Sequence, residues 1–355
     1  MPTLRQTPPR LSRWARLARD LGVTRVARVT GLDRTGVEVA CAVRPGGHVL
    51  QVTNGKGLRF AEAARGALCE AAELWCAERV DPCDLSWADD PRTGARFACR
   101  VARDLVSGEE VRIPAALVHV CPQGGPLLGL SALRWTSNGM GAHPRWDDAL
   151  LHALLEAVER DQLANALPDG WTEAEVARRR LAPAEVEQSA LQCARLAAAL
   201  RARGLEAQLF DLTPRTGRIG LPLAGALILD APGSAVPVAA GYACRLDMGA
   251  ALLAALLEAC QTRLTDIHGA REDVQGMPDA DVERLRKACA RRPGRGSDRR
   301  SAGGRGLRAR SVGQVVELLR RAGHDRILAL DLAPERLPVR VAKVAVPTLR
   351  LSGLL

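Results

Sequence analysis

Three stretches of this chain put acidic side chains where a helix buried in a protein needs apolar ones. They are ALCEAAELW at 67–75, ALLEAVERD at 153–161 and ALLEACQTR at 255–263. Glu70 and Glu73, Glu156 and Glu159, and Glu258 and Gln261 each stand three residues apart. That spacing places both members of a pair on one helix face, a turn apart. Carboxylates among Ala, Leu, Val and Cys are costly unless something compensates them. Any fold must therefore bring Arg partners or metal ions to these helices. One such pair alone reads as a solvated flank or a structural salt bridge. Three pairs, each following a Gly-containing segment, point to a site.

Those segments are Gly55-Lys56-Gly57, Ser137-Asn138-Gly139 and Gly241-Tyr242. Read as loops, they would leave free backbone N–H groups at the helix starts, a disposition suited to phosphate. If the three faces converge, the cluster is all oxygen, with no His or Cys at matching spacing. Such a donor set suits a hard cation such as Mg²⁺. His152 lies four residues before Glu156 and does not supply the Glu-x-x-His of di-iron bundles. Glu70, Glu73, Glu156, Glu159 and Glu258 are thus the candidate metal ligands, with Lys56, Arg160 and Arg263 as nearby cations. The set describes a nucleoside triphosphate site without a P-loop, since no G-x-x-x-x-G-K-[ST] occurs. Lys is rare here: Lys56, Lys287 and Lys343 are three of 50 cations. Lys56 between two glycines is therefore mildly informative as a point charge for phosphate.

The net charge of +10 suggests nucleic acid or membrane until it is located. Residues 1–28 hold seven Arg against Asp20, and 291–310 hold eight Arg against Asp298. The rest of the chain is mildly acidic, so no nucleic-acid partner is expected. The two basic segments are expected to raise encounter rates with an acidic peptide or ATP. Ten scattered Cys form no C-x-x-C pair, and no apolar run reaches the ~18 residues of a membrane helix. A cytoplasmic protein with no membrane partner is the expectation. Cys69, Cys76, Cys193 and Cys260 read as buried thiols, and His119, His143 and His268 as surface or packing residues.

Periodicity predicts an α+β fold, mixed sheets packed with long helices around one core. Helices are expected at 61–80, 147–166, 184–203, 248–268, 279–290 and 312–322, and strands include 48–53, 97–101, 111–113, 117–120, 207–212, 223–229, 236–240, 326–331 and 339–346. Residues 1–21 are expected to form a basic N-terminal arm, 22–355 one domain, and 291–310 a disordered Arg/Gly-rich loop.

The runs NGKGLRFAEAARGALCEAAELWCAE, SNGMGAHPRWDDALLHALLEAVERD and GYACRLDMGAALLAALLEACQTRLTDIHGARED, in this order, resemble the YcaO family over roughly 22–350. The entry GVTRVARVTGLDRTGVEVACAVRP further resembles the subgroup found beside TfuA proteins. The resemblance implies a YcaO-like ATP-binding fold and an ATP/Mg²⁺-dependent enzyme that phosphorylates a peptide backbone amide oxygen. A neighbouring Cys, Ser or Thr then gives an azoline ring, whereas external sulfide gives a thioamide. It implies a precursor peptide substrate, a TfuA-like partner for thioamide formation in a ribosomally made peptide, and leaves a homodimer open. It implies nucleotide and metal contacts at Glu70, Glu73, Glu156, Glu159, Glu258, Gln261 and Arg263, with Arg271 as the basic residue that follows. Gly66 and Leu74 depart from the family's Ser and Arg, and PTLRLSGLL lacks the Pro-rich tail of azoline-forming members. The missing tail and the lack of a fused leader-binding domain favour thioamide chemistry, and the two substitutions are the support for a non-catalytic scaffold. No residue is assigned as catalytic base.

Overall fold

The structure is a computed structural model and describes residues 12–120, 128–129, 135–214, 219–269, 279–291 and 311–351. In chain order the elements are α1 (Arg13–Leu21), β1 (Arg25–Arg28), β2 (Glu38–Val43), β3 (Val52–Gly57), α2 (Phe60–Ala77), β4 (Ser86–Asp89), β5 (Arg96–Asp104) and β6 (Glu110–Pro114). Then come β7 (Met140–His143), α3 (Trp146–Ala166), α4 (Glu173–Arg179), α5 (Pro183–Ser189), α6 (Leu191–Arg201), β8 (Glu206–Asp211), β9 (Leu223–Leu229) and β10 (Val238–Cys244). The chain closes with α7 (Met248–His268), α8 (Asp279–Ala290), α9 (Val312–Arg321), β11 (Leu328–Asp331) and β12 (Arg340–Ala345). The α+β expectation holds.

The strands form three antiparallel sheets, ordered β1-β2-β3, β10-β9-β8 and β4-β5-β11-β12-β7, with β6 also on β5. Each sheet ends in a strand that feeds a long helix: β3 into α2, β7 into α3 and β10 into α7. Hydrophobic side chains fill the spaces between these units as three main clusters, where one core was expected. One joins α2 to Ala40 and Ala42 of β2 and to Val341 of β12. Another joins α3 to Ala342 and Val344 of β12 and to Leu227 of β9. The last joins α7 to Ala226 of β9 and to Val39 and Cys41 of β2. Each long helix thus packs between its own sheet and the next, and the three sheets close into a cycle. Period-two alternation makes this work, because β2 and β12 each supply opposite faces to two clusters.

Glycines set the closeness of helix and strand. A Cβ at Gly55 would lie 2.0 Å from Ala63 O and 2.3 Å from Ala67 N. At Gly241 it would lie 2.3 Å from both Ala255 O and Ala259 N, and at Gly141 2.4 Å from Ala149 O. The three units share one register, in which Ala63, Ala149 and Ala255 are equivalent. These glycines serve close backbone approach within strands. The expectation that Gly55-Lys56-Gly57 and Gly241-Tyr242 are phosphate-binding loops is therefore corrected, since both lie in β3 and β10.

Other boundaries move. The expected helix at 184–203 divides into α5 and α6 at Ala190 (φ −151°, ψ 65°). The break coincides with the first turn of α7, where a Cβ on Gly249 would come within 2.7 Å of Ser189 O. The expected strand at 117–120 is a 3-10 turn, Ala115–Leu117, followed by irregular chain whose Val120 N–H donates to Ala77 O at 2.9 Å. Within the expected arm, α1 docks through fully buried Leu17 and through Leu21. Residues 1–11, with two of the seven N-terminal Arg, and 292–310, nearly all of the expected disordered loop, lie outside the described residues.

Replacing Gly55 by Ala forces β3 off α2, and we expect unfolding free energy to fall by at least ~3 kcal/mol in denaturant titration. Gly313→Ala on α9 meets nothing within 4 Å. It should be neutral or stabilising by up to ~1 kcal/mol through helix propensity.

Candidate active site

The glutamates of the three helices hold the strands they pack on. Glu70 accepts a hydrogen bond from Asn54 N–H on its own β3 at 2.8 Å. Glu156 accepts from Met140 N–H on its own β7. Glu258 reaches Tyr242 N–H on its own β10 at 3.4 Å. The second carboxylates cross to the next sheet: Glu73 Oε1 to Ala142 N–H at 2.7 Å, and Glu159 Oε2 to Cys244 N–H at 2.8 Å. In the shared register the third crossing position is Thr265, whose Oγ1 meets Asn54 Nδ2 of β3 at 3.4 Å. Gln261, the residue paired with Glu258 by sequence spacing, is one turn out of that register. Its backbone carbonyl accepts from Thr265 Oγ1 at 2.9 Å.

These carboxylates converge. Burial, then Glu156 and Glu70, push the Glu73 carboxyl well above its ordinary range. Burial raises Glu156 to about 7 against the pull of Arg160. Burial and then Glu258 raise Glu159, which is only 8% exposed, to about 8. Glu258 is the exception. Burial opposes its ionisation, but Lys56, whose Nζ lies 2.8 Å from Glu258 Oε2, holds its carboxyl below the usual range. The result is a cluster of acids in which burial and mutual repulsion oppose full ionisation.

Cations stand around this cluster. Arg160 sits 3.7 Å from Glu156, and its Nε is buried without a partner among the described residues. Arg245, directly after β10, pulls down both Glu159 and Glu258. Lys343 on β12 is 3% exposed and donates to Thr136 O and Asn138 O, each at 2.7 Å. Sequence reasoning missed Arg245 and Lys343. The scarcity of Lys was the available signal, since Lys343 is one of three.

Two expected residues stand elsewhere. Arg263 is locked structurally: its guanidinium pairs with Asp33 at 3.1 Å and Asp230 at 2.7 Å and donates to Val236 O. The expected nucleotide contact by Arg263 is therefore corrected, because all of this happens behind α7 with a side chain 4% exposed. Arg271 lies outside the described residues. Of the four cysteines expected to be buried, Cys76, Cys193 and Cys260 are so and Cys69 is half-buried, and His119 packs against Arg100.

No three His, Cys, Asp or Glu among the described residues approach closely enough in this conformation to hold a metal ion. The chemistry nevertheless fits a hard divalent cation. The donors are all oxygen, Glu73 and Glu159 each show a single oxygen on an amide, and a carboxylate has about four lone-pair sites. A cation would also relieve the repulsion that raises three of these carboxyls.

A fold of three cyclic sheets around a carboxylate-lined centre defines the class, and comparison with known proteins agrees. Residues 85–350 match the family model described as YcaO cyclodehydratase, ATP- and Mg²⁺-binding. The chain belongs to this YcaO family. A protein from the tfuA 3′ region of Rhizobium leguminosarum bv. trifolii is 29% identical over 374 residues, covering 94% of this chain and 85% of the relative. A protein of Methanothermobacter thermautotrophicus is 30% identical over 293 residues, covering 75% of this chain and 73% of the relative. Among solved structures, YcaO from Methanopyrus kandleri bound with AMPPCP and Mg²⁺ superposes with a TM-score of 0.68 at 22% identity, covering 93% of this chain and 87% of that one. A heterocyclase in complex with substrate and cofactor gives a TM-score of 0.70 at 17% identity, covering 96% of this chain and 52% of that longer chain. No helix among the described residues is long and apolar enough to cross a membrane.

The raised carboxyls have a consequence for the metal-free protein. An unfolded Glu titrates near ~4.3, whereas Glu159 titrates at about 8 in the fold. The native state therefore binds more protons in between, and stability falls as pH rises through this window. We expect unfolding free energy in chelator-treated protein to decline between about pH 5 and 8. Glu159→Gln should flatten the slope, and an unchanged slope would remove Glu159 as its source.

Proposed function

We infer that this chain is an ATP- and Mg²⁺-dependent enzyme that activates a peptide backbone amide by phosphorylating its oxygen, and that it installs a thioamide with a TfuA-like partner. The observation that carries the reading is the cluster of Glu70, Glu73, Glu156, Glu159 and Glu258 with cations at its edge. An amide oxygen is a poor nucleophile, and the oxygen must later leave, so phosphoryl transfer has to be made favourable by charge. Mg²⁺ held by Glu73, Glu156 and Glu159, with Glu70 and Glu258 beside them, would neutralise the triphosphate as the γ-phosphoryl group moves. The protein's own groups do the rest. Lys56 and Arg160 would meet phosphate oxygens, Lys56 as a point charge and Arg160 through a planar donor set. The strand amides hold one oxygen each of Glu73 and Glu159, which leaves the other oxygen of each for a cation. Gln261 lies on α7 beyond Glu258 and is a candidate for contact with the nucleotide's outer part.

Support for sulfur as the incoming group comes from the relative encoded beside tfuA, and from the family's work on peptide amides. The heterocyclase fold supports azoline formation as the second reading. The dispersed thiols and the need for ATP support a cytoplasmic setting.

Incubation with precursor peptide, ATP, Mg²⁺, sulfide and the TfuA-like protein separates the readings by mass. Exchange of oxygen for sulfur adds about 16 Da, whereas ring closure removes about 18 Da as water. ATP hydrolysis with neither change would overturn the amide chemistry. Glu73→Gln should lower turnover by at least ~10²-fold while leaving the circular dichroism spectrum unchanged. A wild-type rate would sink the carboxylate site, and an absence of Mg²⁺-dependent ATP binding in calorimetry would favour a non-catalytic scaffold.

A further inference from the structure

The shortest ion pair at this site joins the two groups that phosphate and metal would each require. Lys56 Nζ of β3 lies 2.8 Å from Glu258 Oε2 of α7, with the two side chains 25% and 28% exposed. Other acids bracket the pair. On β3, Lys56 stands two residues from Asn54, whose N–H donates to Glu70 at 2.8 Å. On β10, Tyr242 N–H reaches the other oxygen of Glu258 at 3.4 Å, two residues from Cys244, whose N–H donates to Glu159 at 2.8 Å. Two residues along a strand span about 7 Å, so a second carboxylate flanks the pair on each strand.

The pair also closes a seam unlike the other two. Where α2 meets β7 and α3 meets β10, a carboxylate accepts from a strand amide at 2.7 and 2.8 Å. Where α7 meets β3, Thr265 Oγ1 and Asn54 Nδ2 are 3.4 Å apart, and the Lys56–Glu258 contact at 2.8 Å is much the shorter link. A partly exposed ion pair adds little to stability, so its place in a charged site calls for another account. While the pair is closed, Glu258 Oε2 is engaged and the charge of Lys56 is neutralised. We propose that Lys56 and Glu258 form an exchange latch that makes the site selective for metal-bound over metal-free nucleoside triphosphate, Lys56 passing to a phosphate oxygen only as Glu258 passes to a divalent cation. The inference rests on the metal and nucleotide reading above. Phosphate alone would leave an unpaired carboxylate facing a polyanion, and metal alone would leave an unpaired ammonium facing a dication. With both ligands every charge has a partner, so each ligand favours the other by the same factor.

The test is calorimetric binding of a non-hydrolysable ATP analogue to the full chain in excess EDTA, repeated with Mg²⁺. Wild type should bind the metal-free analogue weakly. Glu258→Gln keeps an acceptor for Tyr242 N–H and removes the charge that holds Lys56. It should bind the metal-free analogue about tenfold more tightly than wild type. Mg²⁺ should then strengthen its binding about tenfold less than it does for wild type. The double variant Lys56→Gln/Glu258→Gln should lose the gain, because the gain is delivered through Lys56. A merely structural pair predicts equal or weaker metal-free binding in Glu258→Gln, and that result would overturn the proposal. So would a gain that survives in the double variant, or wild-type binding that is equal with and without Mg²⁺. If Glu258→Gln does not fold, Lys56→Gln reads the other half of the exchange. It should bind Mn²⁺ alone about tenfold more tightly than wild type by electron paramagnetic resonance, and unchanged Mn²⁺ binding would refute the latch. Wild type that binds the analogue neither with nor without Mg²⁺ would instead refute the nucleotide site itself.

Discussion

Everything at the centre of this molecule depends on a carboxylate accepting a hydrogen bond from a strand amide. Such charge-assisted bonds are stronger than neutral ones. Here they also join elements that belong to different sheets. Glu73 ties α2 to β7, and Glu159 ties α3 to β10. These bonds position the groups that the proposed chemistry needs and at the same time close the cycle of sheets. The arrangement carries an electrostatic cost, visible in carboxyls raised by burial and by one another. A divalent cation would relieve that cost.

The cycle is not symmetric, and its asymmetry has chemical meaning. Two helices carry a carboxylate at the crossing position, whereas the third carries Thr265. Its acid stands two turns earlier, at Glu258, where Lys56 from β3 meets it. One side of the centre is thus rich in unbalanced oxygen anions and the other is a paired carboxylate and ammonium. A metal–triphosphate has a corresponding polarity, with cations on one side and phosphate oxygens on the other. Behind α7, Arg263 closes with Asp33 and Asp230, which fixes that helix against the β1-β2-β3 sheet and the end of β9.

The helices and the acids on them were legible because they obey local rules. An i,i+3 acidic pair in an apolar run needs no tertiary information to be noticed. The glycines of β3 and β10 were legible as features and misread as loops, whereas Ser137-Asn138-Gly139 is the turn expected. From sequence, Gly in a phosphate-binding turn and Gly pressed against a helix backbone look alike, and the 2.0 Å approach of a Cβ at Gly55 to Ala63 O distinguishes them in space. Arg263 was misassigned for a similar reason: its partners Asp33 and Asp230 are remote in sequence and become visible when α7 docks. Gln261 was paired with Glu258 by spacing, yet the register set by Gly241 on Ala255 and Ala259 makes Thr265 the counterpart of Glu73 and Glu159.

Lys343 shows the limit from the other side. Its neighbours in sequence, Ala342 and Val344, are ordinary strand residues that pack on α3. Period-two alternation turns Lys343 to the opposite face, where the carbonyls of the 136–139 turn await it. No local pattern announces this, because the accepting groups come from a remote segment. Composition alone held a trace. Lys287, exposed and paired with Glu283, is a general cation, so it is a buried lysine that marks a place where a guanidinium is too broad or too rigid. The compact ammonium of Lys343, bonded to two carbonyls with a third N–H remaining, meets a requirement that Arg's planar fork would meet poorly. Rarity of a residue type, taken with burial, is therefore a physical signal in its own right, and here it leads to the same centre that the paired glutamates indicate.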